Sequence, residues 1–138
     1  MAVTIKSPIN EQFSNVYPDL THTTKELLEV VCNALLDMKA KGIVLMDVSD
    51  LTTLTEFFVV CHGTSDTQIK AISDNVIDEV REKLGEKVWK QEGKEARTWI
   101  ILDYVNIVVH VMSEEKREFY SIERMWNDAE ITYIKDEG

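Results

Sequence analysis

Apolar and polar positions alternate along this chain with two distinct periods. Over residues 24–41 the apolar set Leu27, Leu28, Val31, Ala34, Leu35 and Met38 recurs at 3.6-residue spacing. That spacing predicts a helix with one buried stripe. Thr23 is placed to cap its first N–H groups, with Glu26 reaching back in a capping box, and Gly42 to end it. Two near-continuous apolar runs follow, Ile43–Val48 and Phe57–His62. Runs of that kind suit central strands covered on much of both faces. A polar loop, Ser49 to Glu56, lies between them. The helical period returns with Ile69, Ile72, Val76, Ile77, Val80 and Leu84. Ser65 and Gln68 form a capping box before this stripe, and Gly85 stops it.

A short strand over 86–91, a turn at Gly93, and strands over 99–103 and 107–112 come next. The link at Tyr104 to Asn106 is short enough for an antiparallel hairpin. A last helix over about 114–127 would turn Phe119, Ile122, Met125 and Trp126 inward. The order is α-β-β-α-β-β-β-α. It predicts an α/β fold, a single mixed five-stranded sheet with packed helices and a crossover across the second helix. Residues 1–22 hold both prolines and no sustained period, so they read as an N-terminal extension, partly disordered or docked on the body. Residues 23–127 form the domain. Residues 128–138 read as an acidic C-terminal tail.

Composition narrows the function. The chain has 138 residues, with 25 Asp+Glu against 15 Lys+Arg and a net charge of −10. That balance argues against a general nucleic-acid binder, whose affinity comes mainly from Lys and Arg. The stretch 43–65 carries Asp47, Asp50 and Glu56 and no base. No apolar run approaches the roughly 20 residues of a membrane helix, and residues 1–20 have no signal-peptide core. Cys32 and Cys61 sit in apolar segments outside any CxxC pattern, as buried free thiols do. The cytoplasm is the expected compartment.

Candidate chemistry is sparse. His62-Gly63-Thr64-Ser65-Asp66 is a strand–turn–helix junction, where backbone N–H groups can hold an anion. A tight turn with a serine cap explains it as well. No phosphate-loop pattern is present. A Gly-Ser turn also opens nucleotidyltransferase sites, which need paired carboxylates on the next strand to hold metal ions. Here that strand reads Lys87-Val88-Trp89-Lys90-Gln91, so the metal ligands are missing unless Asp47 and Asp103 converge. His62 and His110 lie in strands, and Cys61 faces away from His62. No metal or cofactor is expected.

Strand alternation divides 98–112 into two faces. Ile100, Leu102, Val109 and Val111 suit helix packing. Trp99, Ile101, Asp103, Val108, His110 and Met112 share the other face. Either that face is open and marks a protein interface, or a helix or the N-terminal extension covers it and Trp99 is core.

Taken in order, these segments resemble the ribosomal silencing factor family, also called the Iojap family. The resemblance rests on Lys41–Val48, on Thr55–Ser65 and on Trp99-Ile100-Ile101-Leu102-Asp103-Tyr104. It continues through Val108-Val109-His110-Val111-Met112 and ends with Arg117-Glu118-Phe119-Tyr120-Ser121-Ile122-Glu123-Arg124-Met125-Trp126. It covers roughly residues 24–127, with Glu56 where the family usually has Asp and His62 where it often has Thr or Ser. The resemblance implies a non-catalytic translational repressor on a nucleotidyltransferase-related fold. It implies binding to the large ribosomal subunit through its fourteenth protein, which blocks joining of the small subunit. A role in large-subunit assembly and homodimer formation are also implied. The rival readings are a metal-dependent nucleotidyltransferase-like enzyme and a homodimeric adaptor with no ribosomal role. The expected partner-binding residues are Trp99, Ile101, Asp103, Tyr104, His110, Met112, Asp47 and Asp50. The acids among them would pair with basic residues of the ribosomal protein and disfavour direct rRNA contact.

Overall fold

A computed structural model describes residues 3–6, 16–17 and 21–135. Its elements are β1 (Val3–Lys6), α1 (His22–Asp37), β2 (Lys41–Asp47), β3 (Phe57–Gly63), α2 (Asp66–Leu84) and β4 (Lys90–Glu92). Then come β5 (Trp99–Asp103), β6 (Ile107–Ser113), α3 (Glu114–Tyr120), α4 (Ile122–Met125) and β7 (Glu130–Lys135).

Among the described residues the sheet has seven strands, in the order β1-β7-β2-β3-β6-β5-β4, not five. Both additional strands come from segments read as terminal extensions. β7 pairs antiparallel with β2, placing Asp47 opposite Glu130 and Val44 opposite Tyr133. β1 runs parallel to β7. The acidic stretch holds a strand because Thr132 and Ile134 alternate inward between outward Tyr133 and Lys135. Net charge hid that period-2 pattern. The rest of residues 1–20 and residues 136–138 lie outside the described residues. The two apolar runs, β2 and β3, do occupy the middle of the sheet. β3 runs parallel to β6, with α2 in the crossover, and β5–β6 is an antiparallel hairpin.

Each sheet face has its own core. On one, α1 and α2 bury Leu28, Val31, Leu35, Ile72 and Val76 against Leu45, Phe57, Val59, Leu102 and Val109. Tyr17 closes its edge, ring against ring with Phe57 at 5.1 Å and hydroxyl to Thr132 Oγ1 at 2.6 Å. Both cysteines are fully buried here as free thiols. On the other face a smaller cluster of Val44, Met46, Val48, Val60 and Met112 is covered by Ile122. The short α3–α4 arm supplies that cover.

α2 has the predicted ends. Ser65 Oγ accepts from Gln68 N–H at 3.1 Å, and Gly85 ends the helix at φ +65°. Gln68 Oε1 reaches back one residue further than expected, to Thr64 N–H at 2.7 Å. α1 differs at both ends. Thr21 is its cap, and it stops near Met38, where Lys39 turns left-handed at φ +59°. Gly42 therefore lies inside β2, at a register shift between Lys41 and Val44. The expected single helix over 114–127 is broken at Ser121, whose φ is +46°. Its hydroxyl donates to Glu118 O at 2.7 Å. The break rotates the second half of the arm. Ile122 is buried as predicted and Trp126 is partly buried, but Phe119 and Met125 are exposed.

Candidate functional site

Alternation along β5 and β6 builds the face that the sequence singled out. The ladder pairs Trp99 with Met112, Ile101 with His110 and Asp103 with Val108. These six side chains thus share the smaller-core side of the sheet. β3 adds Phe58, in register with Val108. The arm covers this face only in part. Phe58, Trp99, Ile101 and Val108 stay half-buried, while Met112 and His110 lie beneath the surface. The arm borders the stripe with Phe119 (79% exposed), Tyr120 and Met125 (69% exposed).

An aromatic cluster holds the surface in shape. Trp99 meets Tyr120 at 4.9 Å with the ring planes tilted by 45°, and Phe58 meets both His110 and Trp126 edge-on at 5.3 and 5.2 Å. Trp99 Nε1–H donates to His110 Nδ1 at 3.1 Å. An indole nitrogen only donates, so Nδ1 is the accepting nitrogen and the ring proton sits on Nε2. Burial lowers the His110 pKa to about 4, which keeps this ring neutral and the hydrogen bond in place at neutral pH.

The arm is pinned by a second polar group that the sequence reading missed. Arg117 Nη1 donates to His62 Nδ1 at 2.9 Å and to Lys41 O at 3.4 Å, and Nη2 donates to Glu123 at 3.0 Å. His62 Nε2 faces Glu114 at 3.4 Å. Burial, with Arg117 beside it, holds the His62 imidazole below its ordinary value. Gly42 makes room: a Cβ there would lie 2.6 Å from Arg117 Nη1. A glycine before an apolar strand and an arginine 75 residues later carry no local signal of each other.

The remaining predicted residues do not gather on this face. Tyr104 is buried in the larger core, on the helix side, with a hydroxyl that has no partner among the described residues. Burial raises its pKa. Asp47 pairs in register with the core residue Phe57, which sets it on the helix side too. Its carboxylate accepts from Ser49 N–H at 3.0 Å and Ser49 Oγ–H at 2.6 Å. Asp50 is exposed in the loop after β2. Asp103 accepts from Val105 N–H at 2.7 Å and so shapes the hairpin turn. Asp47 and Asp103 stand at one end of the sheet but on opposite faces, with β3 and β6 between their strands. At about 4.8 Å per strand that is roughly 14 Å, too far for one metal ion. Among the described residues no group of His, Cys, Asp and Glu is gathered to hold a metal. No helix among them is long and apolar enough to cross a membrane.

The family model described as "Ribosomal silencing factor during starvation" matches residues 21–137. The chain belongs to the ribosomal silencing factor family. Residues after 127, expected to fall outside the resemblance, are part of the match. The chain is 33% identical over 107 residues to a ribosomal silencing factor of Halalkalibacterium halodurans, covering 78% of this chain and 91% of that one. A crystal structure of a protein from Chromobacterium violaceum superposes with a TM-score of 0.72 at 35% identity. It covers 75% of this chain and 85% of that chain. A more distant mouse relative, 27% identical over 72% of this chain and 44% of its own length, is named for mitochondrial assembly of the ribosomal large subunit. The family is named for silencing the ribosome, not for a catalysed reaction.

Proposed function

We propose that this ribosomal silencing factor represses translation from the cytoplasm by docking on the large ribosomal subunit through that subunit's fourteenth protein. Seated there, it keeps the small subunit from joining. The observation that carries this reading is the stripe of Phe58, Trp99, Ile101 and Val108, half-buried and bordered by exposed Phe119, Tyr120 and Met125. Aromatic side chains on a sheet floor, with aromatic and methionine side chains on the arm beside it, are the composition of a protein-binding surface. The family's name supplies the particle. Asp103 at the end of the stripe suits a basic partner. The anchor is Trp99 with Ile101; Met112 and His110 lie beneath and support it. Tyr104 and Asp47 contribute through the fold, from the other side of the sheet. A homodimer through the same stripe and an assembly role fit the same surface.

Metal-dependent nucleotidyl transfer has less support, because the acids it needs stand on opposite faces of the sheet. A nucleotidyltransferase-like ancestry of the architecture is compatible with the silencing role.

The test is co-sedimentation with large subunits in a sucrose gradient of starved-cell extract. Trp99→Ala removes a central aromatic, for which about 2 kcal/mol or more is typical, or roughly thirty-fold in affinity. Ile101→Glu puts a charge on the stripe, opposite His110, and keeps both residues of the Trp99–His110 bond. Both variants should keep the wild-type circular dichroism spectrum and leave the large-subunit peak. Folded variants that co-sediment normally would show that the stripe is not the docking face. Wild-type protein that stays at the top of the gradient would overturn the ribosomal reading itself.

A further inference from the structure

The acidity of this chain is unevenly distributed. At the β1-β7-β2 edge, β2 and β7 each have a base at one end and an acid at the other. β2 runs from Lys41 to Asp47, and β7 runs back from Glu130 to Lys135. Their register sets Asp47 opposite Glu130, and β1 brings Lys6 beside Lys135. Asp50 extends the acidic end.

At the basic end lies a cavity of about 440 Å³. Lys39, Lys41, Arg117 and Lys135 line it, with Glu123 as the one acid among the described residues. Glu123 is bound to Arg117. Lys41 and Lys135 are exposed and make no ion pair among the described residues. Between the bases, Tyr133 is 40% exposed, with Ile43 and Val44 as an apolar floor. Among the described residues no tyrosine hydrogen bond holds that ring in place. Arg117 and Glu123 of the arm line this cavity, while Tyr120 of the same arm meets Trp99 of the stripe.

Cations that track a backbone beside an exposed aromatic that a base can stack on are the two parts of a single-stranded RNA site. An acidic peptide would use the lysines but gain little from the ring. We infer that the Lys41–Tyr133–Lys135 cavity binds a single-stranded RNA segment, the lysines taking phosphates and Tyr133 stacking on a base. Resting on the ribosomal reading, this makes the segment an exposed rRNA loop beside the protein on which the stripe docks. It also limits the exclusion of RNA, expected from the net charge, to the acidic end. The two ends then orient the molecule, the lysines toward rRNA and the acids away from it.

The experiment is fluorescence anisotropy with a labelled ten-residue uridine oligomer and a ten-residue glutamate peptide, at 50 and 200 mM salt. The proteins are wild type, Lys41→Ala/Lys135→Ala and Tyr133→Ala, all changed at exposed positions. Each phosphate contact on a single strand contributes about 0.7 to the salt slope. Removing two should shrink the loss of affinity between the two salts by about sevenfold. Tyr133→Ala should weaken RNA binding by roughly 5- to 150-fold, the range for one stacked base, and leave the peptide unaffected. The inference is overturned if wild type does not bind the oligomer, if the glutamate peptide binds as tightly, or if the variants match wild type. Wild-type protein that binds the oligomer but never migrates with large subunits overturns the ribosomal reading and leaves the RNA site standing.

Discussion

A single glycine decides whether the arm can be pinned. Gly42 holds a left-handed φ of +58°, where an L side chain is strained. It also leaves the space that Arg117 enters on its way to His62 and the Lys41 carbonyl. Gly42→Ala meets both constraints at once. The guanidinium is the far end of a flexible side chain and can shift, so backbone strain and a weakened Arg117–His62 bond set the cost. We expect a loss of about 1–2 kcal/mol, read as a lower midpoint in urea with an unchanged m-value. Arg117→Met keeps the stem and removes the charge. It leaves Glu123 and His62 without their shared partner and should cost at least as much. An equal midpoint for both variants and wild type would mean that the arm is held by Ile122 and Trp126 alone. This site was not legible beforehand, because its parts are distant in sequence and only the β2 bulge brings them together.

Among the elements, legibility follows how many independent signals mark each boundary. α2 has a serine cap, a glutamine three residues on, a continuous apolar stripe and a glycine stop, and it forms as read. The two faces of β5–β6 were also legible, since strict alternation leaves only one sorting of Trp99, Ile101 and Asp103. β7 failed because its two buried positions, Thr132 and Ile134, stand among acids that suggest a solvated tail. The arm failed because nothing apolar marks Ser121 as a break. A helical wheel through Phe119, Ile122, Met125 and Trp126 looks sound until its middle residue turns left-handed. The break has a testable consequence. Ser121→Ala removes the bond to the Glu118 carbonyl and disfavours the positive φ. The arm should then gain helix and lose its rotation, withdrawing Trp126 from Phe58. We expect lower stability, by about 1 kcal/mol, together with a changed near-ultraviolet spectrum from Trp126 and Trp99. A variant with wild-type stability and spectrum would show that the backbone is bent by the packing of Ile122 and not by Ser121.

For the whole molecule, the two strand histidines couple stability to pH. Both are held neutral, His110 by burial and His62 by burial and Arg117. The unfolded chain titrates its histidines near 6.5, and His110 in the folded protein near 4. Between those values the unfolded state binds more protons, so stability falls as pH falls. The loss begins as pH drops below about 6.5 and is complete below about 4. For His110 alone it is on the order of 2 kcal/mol by pH 5, from 1.36 kcal/mol per unit. Protonation would also set an N–H on Nδ1 against the Trp99 indole N–H, breaking the bond that fixes the stripe. Acidification should therefore weaken docking before it unfolds the protein. Urea midpoints measured at pH 7, 6 and 5 should fall steadily for the wild type. His110→Phe keeps a ring between Phe58 and Trp99 but cannot titrate, so the fall should shrink to the share that His62 contributes. An unchanged pH dependence in that variant would mean that the charge responsible lies elsewhere in the fold.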